Sequence, residues 1–206
     1  MSGTGLADHM AAVHSRAQCL YDERQVDASL QRMGQIITAD LQGTDLVCLA
    51  VMIGGMIPAA TLLRHVALDV ELDYVHVTRY RGTLRGGELI WLAQPQTPLA
   101  QREVLLVDDI LDEGITLQAL RQWCLEQGAK AVKTAVLVRK LLEGRPSFLE
   151  PDYLGLTVPD RYVYGSGMDY RGHLRHVAGI YALAAEDECG DGHEGHRPPP
   201  EKRWGA

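Results

Sequence analysis

Asp108 and Asp109 follow directly on the apolar run Val104-Leu105-Leu106-Val107, and Asp112, Glu113, Gly114, Ile115 and Thr116 come just after them. Side chains of these types in this order can do a definite kind of chemistry. Adjacent carboxylates are hard oxygen donors, which suit Mg²⁺, an ion that keeps waters and substrate oxygens in its shell. Gly114 lets a ligand approach the backbone closely. Backbone N–H groups at a helix start attract phosphate through their exposed donors and the helix dipole, and Thr116 can add a hydroxyl. Carboxylates beside a phosphate would repel it unless a divalent cation or sugar hydroxyls lay between. The consistent arrangement puts sugar hydroxyls and Mg²⁺ near Asp108 and Asp109, with phosphate on residues 112–116. An isolated Asp-Asp pair would more simply be a solvated turn; the strand before it and the glycine turn after it favour the ligand site.

The elements that must position these groups can be read from periodicity. Residues 104–107 suit a strand buried on both faces, and 116–127 a helix with Leu117, Leu120 and Cys124 on one face and Gly128 as its stop. Residues 46–53 and 131–138 are further apolar strands. Gly54-Gly55 breaks the first, and Pro58 suits the first turn of the next helix. Residues 72–80 and 88–93 read as strands joined by a mobile loop rich in glycine and arginine, Arg79 to Gly87. Short strands are expected at 153–156, 162–164 and 177–181. Residues 8–20 and 23–42 look helical, with Leu30, Met33, Ile36, Ile37 and Leu41 recurring at helical spacing and Gly43 as a stop. Strands alternating with helices predict an α/β fold, a mostly parallel twisted sheet flanked by helices. Such sheets bind ligands outside the carboxyl ends of their strands, where Asp108 and Asp109 belong.

Composition narrows the classes. The 206 residues suffice for one sizeable core, and a net charge of -7 argues against a basic surface built for nucleic acid. No apolar run approaches the roughly 18 residues of a membrane span, and the N-terminus lacks a signal peptide's charged-then-apolar order. Cys19, Cys48, Cys124 and Cys189 have no framework spacing and read as reduced thiols of a cytoplasmic protein. Three regions are expected: N-terminal helices over 1–44, a core over 45–185, and a disordered acidic, glycine- and proline-rich tail over 186–206.

The segment 104–117 resembles the phosphoribosyl pyrophosphate signature of the type I phosphoribosyltransferases. Over residues 45–182 the chain resembles, more narrowly, the hypoxanthine-guanine phosphoribosyltransferases. Three further segments carry that likeness: Val132 to Lys140, Val158 to Tyr170, and Arg175 six residues after Asp169. The resemblance implies a type I phosphoribosyltransferase sheet with a small hood built from the chain ends, to which the N-terminal helices over 1–44 could contribute. It implies that Lys140 donates to the purine 6-oxygen, a role in which an ammonium disfavours adenine's 6-amino group. It implies that Tyr162 stacks on the purine and that the main chain at Val163 meets the base edge. Asp169 would help hold Mg²⁺ or touch the 2-position. Arg175 would touch pyrophosphate, together with Ile53, Gly54, Arg79 and Tyr80. Asp112 would take the N7 proton, and Asp112 to Thr116 would anchor the 5′-phosphate. Residues 80–87 would close as a lid.

Three positions depart from the family pattern. Ile53 stands where many relatives have a basic residue, beside an unusual cis peptide; its main-chain N–H must then serve. Arg79 replaces a serine, and Glu113 a threonine. The implied reaction converts hypoxanthine and/or guanine plus phosphoribosyl pyrophosphate into IMP or GMP and pyrophosphate. Partners expected with it are Mg²⁺, the two substrates and a second copy of the chain, as a homodimer or homotetramer. A xanthine-preferring enzyme and a non-catalytic, nucleotide-sensing regulator on the same fold remain as alternatives.

Overall fold

Continuous apolar runs become the central strands. The computed structural model describes residues 3–79, 89–142, 144 and 147–188. In chain order these form α1 (Gly3–Arg16), β1 (Gln18–Tyr21), α2 (Glu23–Asp40), β2 (Leu46–Met52), α3 (Met56–Leu63), β3 (Val70–Arg79), β4 (Leu89–Ala93), β5 (Glu103–Leu111), α4 (Ile115–Glu126), β6 (Ala131–Leu141), β7 (Tyr153–Pro159), β8 (Val163–Tyr164), β9 (Ile180–Ala182) and α5 (Ala185–Glu188). Six strands make one sheet in the order β4-β3-β2-β5-β6-β7. All neighbours are parallel except β3 and β4. The chain thus builds outward from β2 in one direction, then from β5 in the other. The reversal point lies between β2 and β5, where a crevice for ligand is expected at the strands' carboxyl ends.

Side chains alternate between two apolar layers. Leu46, Cys48 and Ala50 of β2 join Leu105 and Val107 of β5 beneath α2 and α3. Val47, Leu49 and Val51 join Val104 and Leu106 beneath Leu117, Leu120 and Cys124 of α4. Helix α2 starts with a capping box between Asp22 and Gln25 and buries Val26, Leu30, Met33 and Ile37.

A separate three-stranded sheet, β1-β9-β8, forms the hood. Its short strands are antiparallel, with Cys19 and Tyr164 both opposite Tyr181. Arg161 ties it together, donating to Gln18 Oε1 at 2.6 Å and to the Leu183 carbonyl at 2.5 Å. Helix α1 packs against this sheet through Met10 and Val13, and Ala17 just after it joins them.

The structure departs from periodicity in instructive places. The expected helix over 8–20 begins at Gly3 and ends at Arg16, and Gln18–Tyr21 is a strand. That strand exists because β9 pairs with it, a long-range partner invisible to local pattern. Ile36 is exposed, not part of the buried stripe. Strand β5 continues through both aspartates to Leu111, since β6 goes on pairing with it after β2 has ended at Met52. Glu186 to Glu188 belong to α5, not to an unstructured tail; residues 189–206 lie outside the described residues, as does the expected lid, residues 80–87. No described helix is long and apolar enough to cross a membrane.

At the far end of β6 the Asp152 carboxylate accepts from Lys133 Nζ at 3.0 Å, the Thr134 N–H at 2.9 Å and the Thr134 hydroxyl at 3.1 Å. Burial opposes its ionisation, but these donors win and hold its carboxyl below the ordinary value. A depressed carboxyl contributes stability above its unfolded pKa and loses it as pH falls through the folded one. Asp152→Asn is therefore expected to cost about 1–3 kcal/mol at neutral pH. The variant should also show a shallower loss of stability below the ordinary carboxylate range. Chemical denaturation at neutral and acid pH checks this; equal stability of both proteins at neutral pH contradicts it.

Candidate active site

The carboxyl ends of β2 and β5 meet through glycines as much as through carboxylates. After β2 the chain passes through a cis Met52–Ile53 peptide into Gly54, as the resemblance implies. A Cβ on Gly54 would lie 1.9 Å from Asp109 Oδ2, and one on Gly55 2.5 Å from the Val107 carbonyl. Only glycine lets this loop lie flat against the end of β5. The aspartates there are locally braced. Asp108 Oδ1 accepts the Asp109 N–H at 2.9 Å, and Asp109 Oδ1 accepts the Ile110 N–H at 2.8 Å.

A turn from the hood closes the corner. Gly167 packs so tightly that a Cβ on it would meet the Gly54 carbonyl at 2.3 Å. Arg175 donates to the Gly167 carbonyl at 2.6 Å, pairs with Asp169 Oδ1 at 2.5 Å, and lies 3.8 Å from Asp109 Oδ2. Asp169 Oδ2 also accepts the Gly172 N–H at 2.6 Å. Ser166, Arg171 and Leu174 all have positive φ, so this turn is held in a conformation costly to non-glycine residues. Such a cost persists only where surrounding contacts fix the geometry.

Beyond Leu111 the chain turns at Gly114, whose φ of 83° is left-handed. Gln118 is the first helical amide of α4 to find an acceptor, the Gly114 carbonyl at 2.9 Å. The amides before it at the helix start have no intrahelical acceptor. Asp112 is exposed, and Glu113, Ile115 and Thr116 are half-buried. The carbonyl of Glu113 accepts the Phe148 N–H at 2.8 Å. This segment is an amide cradle of the kind phosphate uses.

Lys140 stands opposite Val158 where β6 and β7 end together. The chain then runs to Tyr162, whose ring is 43% exposed and edge-on to Tyr170 at 5.9 Å. Val163 is buried. Burial raises the Tyr162 hydroxyl, and the charge of Asp169 raises it further.

The structure thus brings Gly54, Asp109, Asp169 and Arg175 together directly. Asp108, Asp112 to Thr116 and Lys140 share the same sheet edge. Arg79 ends β3, and Tyr80 lies outside the described residues. Sequence reasoning missed Gly55 and Gly167, although the Gly54-Gly55 and Gly165-Ser166-Gly167 clusters carried a signal of close approach. It also missed Met10, which with Ile53, Met56 and Arg175 lines a cleft of about 380 Å³ at the same corner.

Burial pushes the Asp108 carboxyl well above its ordinary value, and the charge of Asp109 adds to the effect. Burial raises Asp109 too, against the opposing pull of Asp108's hydrogen bond and of Arg175. The pair resists carrying two negative charges on its own; a cation or sugar hydroxyls would relieve it. Among the described residues no group of three or more His, Cys, Asp or Glu is placed to hold a metal by itself. The adjacent carboxylates of Asp108 and Asp109 are hard oxygen donors, a set that fits an ion such as Mg²⁺ that takes one or two carboxylates and completes its shell with water and substrate.

Gly54→Ala is expected to displace the loop from Asp109 and lower turnover about 10²-fold, the scale of a 1 Å misplacement at a reacting centre. Steady-state assay of the folded variant, its fold checked by circular dichroism, tests this; near wild-type turnover contradicts it.

Comparison with known proteins agrees with this geometry. The phosphoribosyl transferase domain family matches residues 18–157. A hypoxanthine-guanine phosphoribosyltransferase of Lactococcus lactis is 32% identical over 168 residues, 81% of this chain and 91% of the relative. The crystal structure of a Staphylococcus aureus hypoxanthine phosphoribosyltransferase superposes with a TM-score of 0.79 at 26% identity, covering 84% of this chain and 95% of that one. A Trypanosoma cruzi hypoxanthine phosphoribosyltransferase, solved as a ternary substrates complex, gives a TM-score of 0.79 at 26% identity, covering 84% and 99%. With its reversal-point crevice, its acidic strand end and its amide cradle all in place, this chain belongs to the hypoxanthine-guanine phosphoribosyltransferase family.

Proposed function

We propose that the protein is a purine salvage enzyme that joins hypoxanthine and/or guanine to phosphoribosyl pyrophosphate, releasing IMP or GMP and pyrophosphate. The observation that carries this reading is the corner of Gly54, Asp109, Asp169 and Arg175 beside the amide cradle 112–116. The cradle holds the 5′-phosphate through main-chain N–H groups and Thr116, with the Glu113 side chain turned away. Ribose hydroxyls face Asp108 and Asp109. Main-chain N–H groups of Ile53 and Gly54, with the Arg175 guanidinium, receive pyrophosphate, together with Arg79 and Tyr80.

Asp108 and Asp109 are the residues that would hold Mg²⁺, with Asp169 nearby as a further carboxylate. The ion, when bound, supplies neutralisation of the charge on the departing pyrophosphate. Bond cleavage at the anomeric carbon leaves an oxocarbenium-like centre as N9 of the base arrives. Asp112, exposed beside the cradle, accepts the N7 proton as general base.

Lys140 sets base choice. It stands at the carboxyl end of β6, from which its ammonium is offered to the purine 6-oxygen. Tyr162 offers a half-exposed ring for stacking, and Val163 and Asp169 meet the 2-position edge. The protein works in the cytoplasm as a homo-oligomer, a dimer or tetramer. Leu72 and Tyr74 of β3 and Ile90 and Leu92 of β4 support self-association, because they stand exposed on one face of the sheet.

A panel of free bases incubated with phosphoribosyl pyrophosphate and Mg²⁺, with nucleotide product measured directly, tests the reading. Product is expected from hypoxanthine and/or guanine and not from adenine. Lys140→Ala should lower kcat/KM for 6-oxopurines about 10-fold or more, the scale of a lost charged hydrogen bond. Equal use of adenine, or unchanged kinetics in the variant, contradicts the assignment.

A further inference from the structure

Helix α1 ends just before Gln18, where the match to the phosphoribosyl transferase domain family starts. It is nonetheless built into the hood. Met10, Val13, His14 and Ala17 fall at helical spacing and form one face. Val13 is wholly buried, and this face packs with Tyr164, Tyr170, Leu174 and Leu183. The helix end is pinned as well. Arg16 donates to Asp187 at 2.6 and 3.1 Å and pairs with Glu186 at 2.8 Å.

His14 is the polar member of that face. Its Nδ1 and the Tyr164 hydroxyl are hydrogen-bonded at 2.9 Å. Its ring stands edge-on to Tyr181 at 4.8 Å, and Tyr181 stacks on Tyr164 at 5.7 Å. Tyr164 is wholly buried, and burial pushes its hydroxyl up to about 12. It is therefore a neutral group that needs a partner, and no other hydrogen bond is made by its hydroxyl among the described residues. Strand β8, which carries it, is two residues long and among the described residues pairs with β9. Backbone bonds flank it, from the Leu183 N–H to the Tyr162 carbonyl at 3.0 Å and from the Gly165 N–H to the Met168 carbonyl at 2.9 Å, and the Tyr164 hydroxyl adds a side-chain anchor between them. The neighbours of Tyr164 on this strand and the turn before it are Val163 and Tyr162.

We propose that His14 is a positioning residue for the purine: through the Tyr164 hydroxyl it holds β8 so that the ring of Tyr162 and the main chain at Val163 meet the base. This rests on the reading of Tyr162 and Val163 as purine contacts given above. It assigns to α1 a share in base affinity, without any contact between α1 and the base.

The test compares full-length wild type with His14→Ala, His14→Asn and Tyr164→Phe. Each substrate is varied at saturation of the other, and amide hydrogen exchange is followed at residues 162–164. His14→Ala should raise KM for hypoxanthine about fivefold, the scale of one net hydrogen bond. Its kcat and its KM for phosphoribosyl pyrophosphate should stay within about twofold of wild type. His14→Asn, whose amide can stand where Nδ1 stood, should restore the low KM. Tyr164→Phe should match His14→Ala, and the double variant should be no worse than either single one. Exchange at residues 163 and 164 should quicken in His14→Ala. An unchanged KM for hypoxanthine overturns the proposal. So does a parallel fall in kcat and in both affinities with no rescue by asparagine, because that is the mark of general loosening. If wild type makes no nucleotide from hypoxanthine or guanine, the proposed function fails by itself. Exchange then decides the role of His14: faster exchange at 163 and 164 supports it, and unaltered exchange overturns it.

Discussion

Electrostatic crowding where β2 lets go of β5 governs the rest of this molecule. Asp109 and Asp169 meet one guanidinium, Arg175, and Asp108 stands beside Asp109, in a corner from which much of the water is excluded. Two unit charges about 4 Å apart interact by roughly 4 kcal/mol at an effective permittivity near 20. One arginine can offset one such repulsion, not the set. The fold tolerates the remainder because its glycines and turn geometry leave the carboxylates no way out. Gly54 lies under Asp109, Gly167 lies against Gly54, and the positive-φ turn holds Arg175 in reach. A site that resists its own charge is one that a cation and a polyhydroxylated ligand complete, which links the buried pair to binding. The sheet contributes the address: strand order reverses at this point, between β2 and β5.

The hood depends on the same corner from the other side. Its turn supplies Asp169 and Arg175, and its strand β8 leads out of Tyr162. The base side and the pyrophosphate side are therefore one continuous piece of chain, residues 159–176, anchored by Arg161 and underlain by α1. Affinity for the two substrates need not be independent when both depend on how that piece is seated.

Much of this was legible in the sequence, for a physical reason. Parallel strands buried on both faces must be apolar throughout, so β2, β5 and β6 announce themselves, and residues at their carboxyl ends can be placed without coordinates. Asp108, Asp109 and Gly114 were legible for that reason. Lys140, Arg175 and Tyr162 were legible only through resemblance, since nothing in their local pattern separates them from surface side chains. Strand β1 was misread as helix because its conformation is dictated by β9, far away in sequence. The extent of β5 was underestimated because pairing with β6 outlasts pairing with β2. Gly55, Gly167 and Met10 act through close approach between distant segments, which no local period encodes.

The most direct test of the central claim is calorimetric titration of phosphoribosyl pyrophosphate into the protein with Mg²⁺ and with excess chelator, repeated on Asp108→Asn combined with Asp109→Asn. The account predicts tight binding only with the ion and intact carboxylates, and a loss of about tenfold or more in affinity when either is removed. Affinity that survives both chelation and the double substitution would contradict it.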